Sequence, residues 1–172
     1  MELLLSLCRY GIALLFLLAA FSKISKFNSF CLSLTESFAV PASFSTPLAF
    51  TIAGSELILA LWLLLATGPV KFAMVLTLVL MLVFSLVLAL TYWWRGAVRC
   101  NCFGEQHRTF SAADAIRHLI ILSGISLYLY CAEVQLQSLM LWPVLALALV
   151  LAILLIYLHE ATELLTKGNA YD

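Results

Sequence analysis

The chain has 172 residues, of which 65% are hydrophobic and 10% charged, and nine basic residues balance nine acidic ones. A soluble domain is roughly half apolar and about a quarter charged, so this sequence has too little polar surface to coat a globule in water. It reads as an all-α polytopic membrane protein whose partner is the lipid bilayer, and zero net charge without a basic tract argues against nucleic acid.

A spanning helix needs roughly 20 mostly apolar residues, and the first such stretch is 3–21. Glu2 stands where a secretory signal carries basic residues, Arg9 interrupts the apolar run and no good cleavage site follows. The stretch therefore reads as a retained helix. Residues 22–47 are too many for a hairpin and too polar to span. Within them Phe27, Phe30, Cys31, Leu34 and Phe38 recur at helical spacing, which predicts an interfacial amphipathic helix. Pro41 and Pro47 are expected to stop it.

The second span is 48–66 and contains Glu56. Thr67-Gly68-Pro69 breaks the chain before the third span, 72–94, which ends on the aromatic anchor Tyr92-Trp93-Trp94. A polar connection, 95–115, leads to a short fourth span at 116–131, opened by Arg117 and His118. Ser111 and Asp114 form its N-terminal cap region. Trp142-Pro143 begins a fifth span at 142–158. No internal repeat is visible, and residues 1–172 form one domain.

The connection carries the densest chemistry, Cys100-Asn101-Cys102-Phe103-Gly104-Glu105. Two thiols one residue apart close a small ring whose disulfide is strained and readily exchanged. Arg95, Arg99 and Arg108 surround the pair with positive charge, which favours the thiolate, and His107 and Lys23 are further tuning groups. A metal site is the rival reading, but beyond His107 no fourth ligand is evident and the spacing fits no common zinc pattern. Cys8 and Cys131 read as small hydrophobes in apolar helices. Cys31 is placed either to resolve a mixed disulfide or to fill space in the linker.

Arg9 and Glu56 lie inside spans, where a lone charge is costly. The first two helices are antiparallel if both span, and the two residues then come within roughly one turn in depth. An intramembrane Arg9–Glu56 ion pair is the expectation, with Lys23 snorkelling to the headgroups. Helix parity puts Cys31, Cys100 and Cys102 on one face. Lys23, Lys26, Arg95, Arg99, Arg108, Arg117 and Lys167 share it, and counted plainly they make that face cytoplasmic.

Arg9, Ser22-Lys23-Ile24, Gly54-Ser55-Glu56-Leu57 and Cys100-Asn101-Cys102-Phe103-Gly104 together resemble the MauE family, the methylamine-utilisation membrane proteins related to DoxX-like proteins. The resemblance covers roughly residues 8–122, and the Cys-x-Cys-Phe-Gly block is its most specific part. It implies an antiparallel four-helix bundle, here with a fifth C-terminal helix, in the bacterial inner membrane. It also implies a thioredoxin-like partner, a disulfide-containing periplasmic client, and a redox role for Cys100 and Cys102. That context places the cysteine connection outside the cytoplasm, where disulfides persist. If Lys23, Arg95, Arg99 and Arg117 are site residues, the opposing charge count is thin.

Three functions remain open at this point. One is thiol–disulfide exchange with a thioredoxin-like partner. Another is a non-enzymatic assembly factor whose cysteines only staple a loop, and the third is a small transporter using Arg9 and Glu56. No residue demands a cofactor, though a quinone acceptor in the bundle is compatible with the chemistry of membrane disulfide oxidation.

Overall fold

The computed structural model describes residues 2–65, 69–95, 112–131 and 143–154. They form six helices: α1 (Glu2–Ser25), α2 (Phe27–Glu36), α3 (Ala42–Leu65), α4 (Val70–Arg95), α5 (Ala112–Cys131) and α6 (Pro143–Leu154). No strand occurs among the described residues. Leu3–Ser25, Ala42–Leu65 and Val70–Trp94 are long and apolar enough to cross a membrane, whereas the apolar parts of α5 and α6 among the described residues are shorter.

The helix α1 is central and packs on α2, α3 and α5. Its buried residues Leu5, Arg9, Ile12, Phe16, Ala19 and Lys23 alternate steps of four and three, the spacing of one helical face. Half of its apolar window is buried, against 28% for α3 and 22% for α4. The outer helices leave side chains such as Phe50, Ile58 and Leu86 exposed, as lipid-facing surfaces require. The inward face of α3 carries the small residues Ser45, Ala49, Ala53 and Ala60 beside Leu59 and Leu63. Small residues of this kind let helix backbones approach closely in a bilayer.

The expected amphipathic helix is α2, which turns Phe30 and Leu34 inward against Ala49 of α3. It begins one residue after α1, with Lys26 between the two in a non-helical conformation. Beyond its end, Ala39 takes φ 54°, a left-handed backbone that is uncommon without glycine. The turn brings Pro41 to the start of α3, where its carbonyl accepts the Phe44 and Ser45 N–H groups.

Pro47 does not stop a helix, contrary to expectation; it lies inside α3. Its missing N–H removes only one early bond, and proline is tolerated inside membrane helices. The second span therefore begins at Ala42 rather than 48, and α1 runs on to Ser25 rather than 21. Each shift is about one turn or more, and the first turns of α3 pack on α2 rather than on α1.

The helix α4 starts on Pro69, whose carbonyl accepts from Phe72 and Ala73. It ends with Trp93 and Trp94 more than four-fifths exposed, consistent with an aromatic anchor at a membrane interface. Buried Thr77 satisfies its hydroxyl by donating to the Ala73 carbonyl at 2.8 Å. In α6, Val144, Ala148 and Ala152 are buried at successive turns, and Ala152 joins the main core.

Candidate intramembrane site

Glu56 pairs with Lys23, not with Arg9. Lys23 Nζ donates to both carboxylate oxygens of Glu56, at 2.8 and 2.7 Å. The lysine side chain is 2% exposed and the glutamate 13%. The reason is register. Lys23 is the last residue of the buried α1 stripe, not a headgroup-seeking side chain, and α3 is slid along α1, with its first turns packed on α2, so that Glu56 stands opposite Lys23. Arg9 lies roughly 21 Å farther along α1, by the helical rise. The Lys23 ammonium also lies 5.7 Å from the centre of the Phe30 ring, so α2 closes over the pair from the side.

Arg9 is buried and serves another end of α3. Its Nε donates to the Leu63 carbonyl at 2.8 Å, two residues before the helix ends at Leu65. The last four carbonyls of a helix lack intrahelical donors and carry the negative end of its dipole. A guanidinium there satisfies one of them and offsets the dipole. The guanidinium carbon also stands 5.0 Å from the Tyr10 ring centre, and Nη2 has no hydrogen-bond partner among the described residues.

Beside the Lys23–Glu56 pair lies a cavity of about 290 Å³, at the lower end of the range for small-molecule sites. Its wall comes from five helices: Phe16 and Ala19 of α1, Phe30 and Ser33 of α2, Ile52 of α3, Phe84 of α4, and Arg117, His118 and Ile121 of α5. Nearly all of that surface is apolar, and Lys23, Glu56, Arg117, His118 and Ser33 supply its polar atoms. The α5 residues Arg117, Ile121, Ile125 and Tyr128 are all buried, so Arg117 shares the inward face of α5 and is not the interface anchor that its position near a helix start suggests. The ring of His118 stacks nearly parallel to Phe84, with centroids 6.1 Å apart.

The four long helices contribute at similar depth. The cavity takes residues 15–23 of α1, 48–56 of α3, 80–87 of α4 and 117–121 of α5. These are late in α1, at the middle of α3 and α4 and early in α5. The connection with Cys100 and Cys102 in its sequence joins the end of α4 to the start of α5.

Cys100, Cys102, Arg99 and His107 lie outside the described residues, as does the Arg95 side chain. Cys31 is half-buried between α2 and α3, with Sγ 4.0 Å from the Ser45 carbonyl oxygen. Cys8 and Cys131 pack against the main core. No cluster of metal-ligating side chains occurs among the described residues.

These features define a helical membrane protein with a charged pair and, beside it, a largely apolar cavity inside its bundle. Over residues 1–132 the chain matches the family described as methylamine utilisation protein MauE, and it belongs to that family. No curated protein and no solved structure matches it.

Proposed function

We propose that the protein is a membrane thiol–disulfide exchanger, with Cys100 and Cys102 as the reacting pair, working with a thioredoxin-like partner in the maturation of a disulfide-containing client. The observation that carries this reading is the Cys100-Asn101-Cys102-Phe103-Gly104 block within a chain of the MauE family. The thiolate of one cysteine attacks the partner's disulfide, forming a mixed disulfide and releasing one partner thiolate. The second cysteine then attacks the bond to the first, closing Cys100–Cys102 and releasing the partner as a dithiol. The reverse sequence reduces the pair and oxidises the partner. In this reading the bundle sits in the bacterial inner membrane with five crossings.

Burial of Lys23 and Arg117 removes two of the seven basic residues counted on the cysteine face, which narrows the charge argument for a cytoplasmic connection without reversing it; the extracytoplasmic side rests on the family context. The test is mixed-disulfide trapping. Chains with Cys100→Ser or Cys102→Ser, expressed in a cell that makes the client, should capture a thioredoxin-like protein through the remaining thiol. Client maturation should be lost while the membrane protein stays inserted. Full maturation with both cysteines replaced rules out exchange and leaves the assembly-factor reading.

A further inference from the structure

The helices α3 and α4 follow each other across a short break, so they run antiparallel. Near the break they are in contact, with the Trp62 and Phe72 rings 6.0 Å apart. Farther from it the cavity separates them. Counting outward from the break, Leu48, Ile52 and Glu56 of α3 stand at about the levels of Val87, Val83 and Leu80 of α4, and all six line the cavity. Overall α3 touches α4 much less than it touches α1. The space is therefore a slot between two neighbouring helices. Leu48, Val83 and Val87 form its outer edge and are also exposed, on the same lipid-facing surface as Leu86.

The inner walls of the slot lie deep. Phe16 and Ala19 of α1 and Ile121 of α5 line it, and each is less than a tenth exposed. Between the levels of Leu48 and Glu56 the slot runs about 12 Å by the helical rise, close to the roughly 15 Å of one hydrocarbon leaflet. It is long, narrow and open along one side to the bilayer.

Charge does not select the occupant. Lys23 and Glu56 neutralise each other, and Arg117 and His118 already interact with other groups of the protein. Nearly all of the surface is apolar, so the long charged side chains meet the space mainly with their carbons. A void lined in this way stays dry, and left empty it deprives its lining of contacts. A lipid tail is as apolar as leucine and enters from the surrounding bilayer without crossing a polar boundary. We propose that one acyl chain of a bilayer phospholipid occupies the slot between α3 and α4 and completes the bundle beside the Lys23–Glu56 pair. The continuity of the slot with the lipid-facing surface selects this occupant, and the headgroup stays outside. The site does not depend on the chemistry of Cys100 and Cys102.

The test uses the full chain in phosphatidylcholine nanodiscs doped with a phosphatidylcholine that carries a diazirine midway along one acyl chain. Lipid around the bundle reaches only outward residues such as Leu86, whereas a chain in the slot should also label Phe16, Ala19 or Ile121. Ala19→Phe, which fills the slot, should lower that interior labelling by about tenfold and leave labelling of Leu86 unchanged. Native mass spectrometry after gentle detergent extraction should find one phospholipid retained on the native chain and none on Ala19→Phe. Phosphatidylcholine and phosphatidylglycerol should be retained equally, since the chain and not the headgroup is recognised. If Ala19→Phe fails to fold, the labelling map of the native chain decides alone. Labelling confined to outward residues overturns the proposal. So does retention of phosphatidylglycerol without phosphatidylcholine, which is the mark of a site that reads an anionic headgroup.

Discussion

Lys23 and Glu56 depend on each other because neither has another charge of opposite sign described in contact with it. Removing one partner of a buried pair leaves an uncompensated charge and costs about 3–5 kcal/mol, whereas removing both costs far less. Lys23→Met and Glu56→Gln should each lower unfolding stability in detergent by that order, and the double variant should recover much of the loss. Arg9→Met, by contrast, removes a charged donor from the Leu63 carbonyl and should cost about 1.5–3 kcal/mol. Since Arg9 and Glu56 are far apart along the bundle, their losses should add. A strongly non-additive Arg9/Glu56 cycle is the result that contradicts the register described here.

At the scale of elements, α2 is held by few contacts and is the part most sensitive to single changes. Phe30 and Leu34 bury against Ala49, and Phe30 also covers the Lys23–Glu56 pair. Phe30→Ala should cost about 3–5 kcal/mol, as truncation of a buried aromatic does. Hydrogen exchange should rise over 27–36 before it rises elsewhere. The turn after α2 offers the opposite change. Ala39 at φ 54° carries a strain of about 1–2 kcal/mol that glycine lacks, so Ala39→Gly should raise the melting temperature. No gain, or a loss, shows that the extra freedom glycine gives the unfolded chain outweighs the relief.

For the whole molecule the open variable is which way the bundle faces. With Cys8, Cys31 and Cys131 replaced by Ala, a membrane-impermeant maleimide should label reduced Cys100 or Cys102 in intact spheroplasts. Labelling only after permeabilisation would place the cysteine connection in the cytoplasm. The bare charge count then holds, and Lys26, Arg95, Arg99, Arg108 and Lys167 set the orientation without Lys23 and Arg117.

Much of this was readable in the chain because membrane helices declare themselves by length and hydropathy. The stretches around 3–21, 48–66 and 72–94 each lie within a helix long enough to span. The spacing of Phe27, Phe30 and Leu34 announced α2 and its buried face, and the Cys-x-Cys-Phe-Gly block carried the family. Helix ends were less legible. Hydropathy fades over polar residues such as Ser22 and Ser25, while the backbone keeps its hydrogen bonds through them, so α1 ran longer and α3 began earlier than apolarity suggested.

The slide of α3 past the end of α1, with its first turns packed on α2, decided the chemistry of the interior. The sequence alone determined that charges lie within spans and must find partners, because hydrocarbon offers none. Which charges meet depends on the rotation and register of two packed helices. Leu5, Arg9, Ile12, Phe16, Ala19 and Lys23 do share one face in the sequence, as do Arg117, Ile121 and Ile125. Only the tertiary structure set Lys23 against Glu56, sent Arg9 to the end of α3, and turned Arg117 and His118 toward a common cavity. A helical repeat shows which residues share a face, but their depth and what that face meets are settled by how neighbouring helices slide and pack.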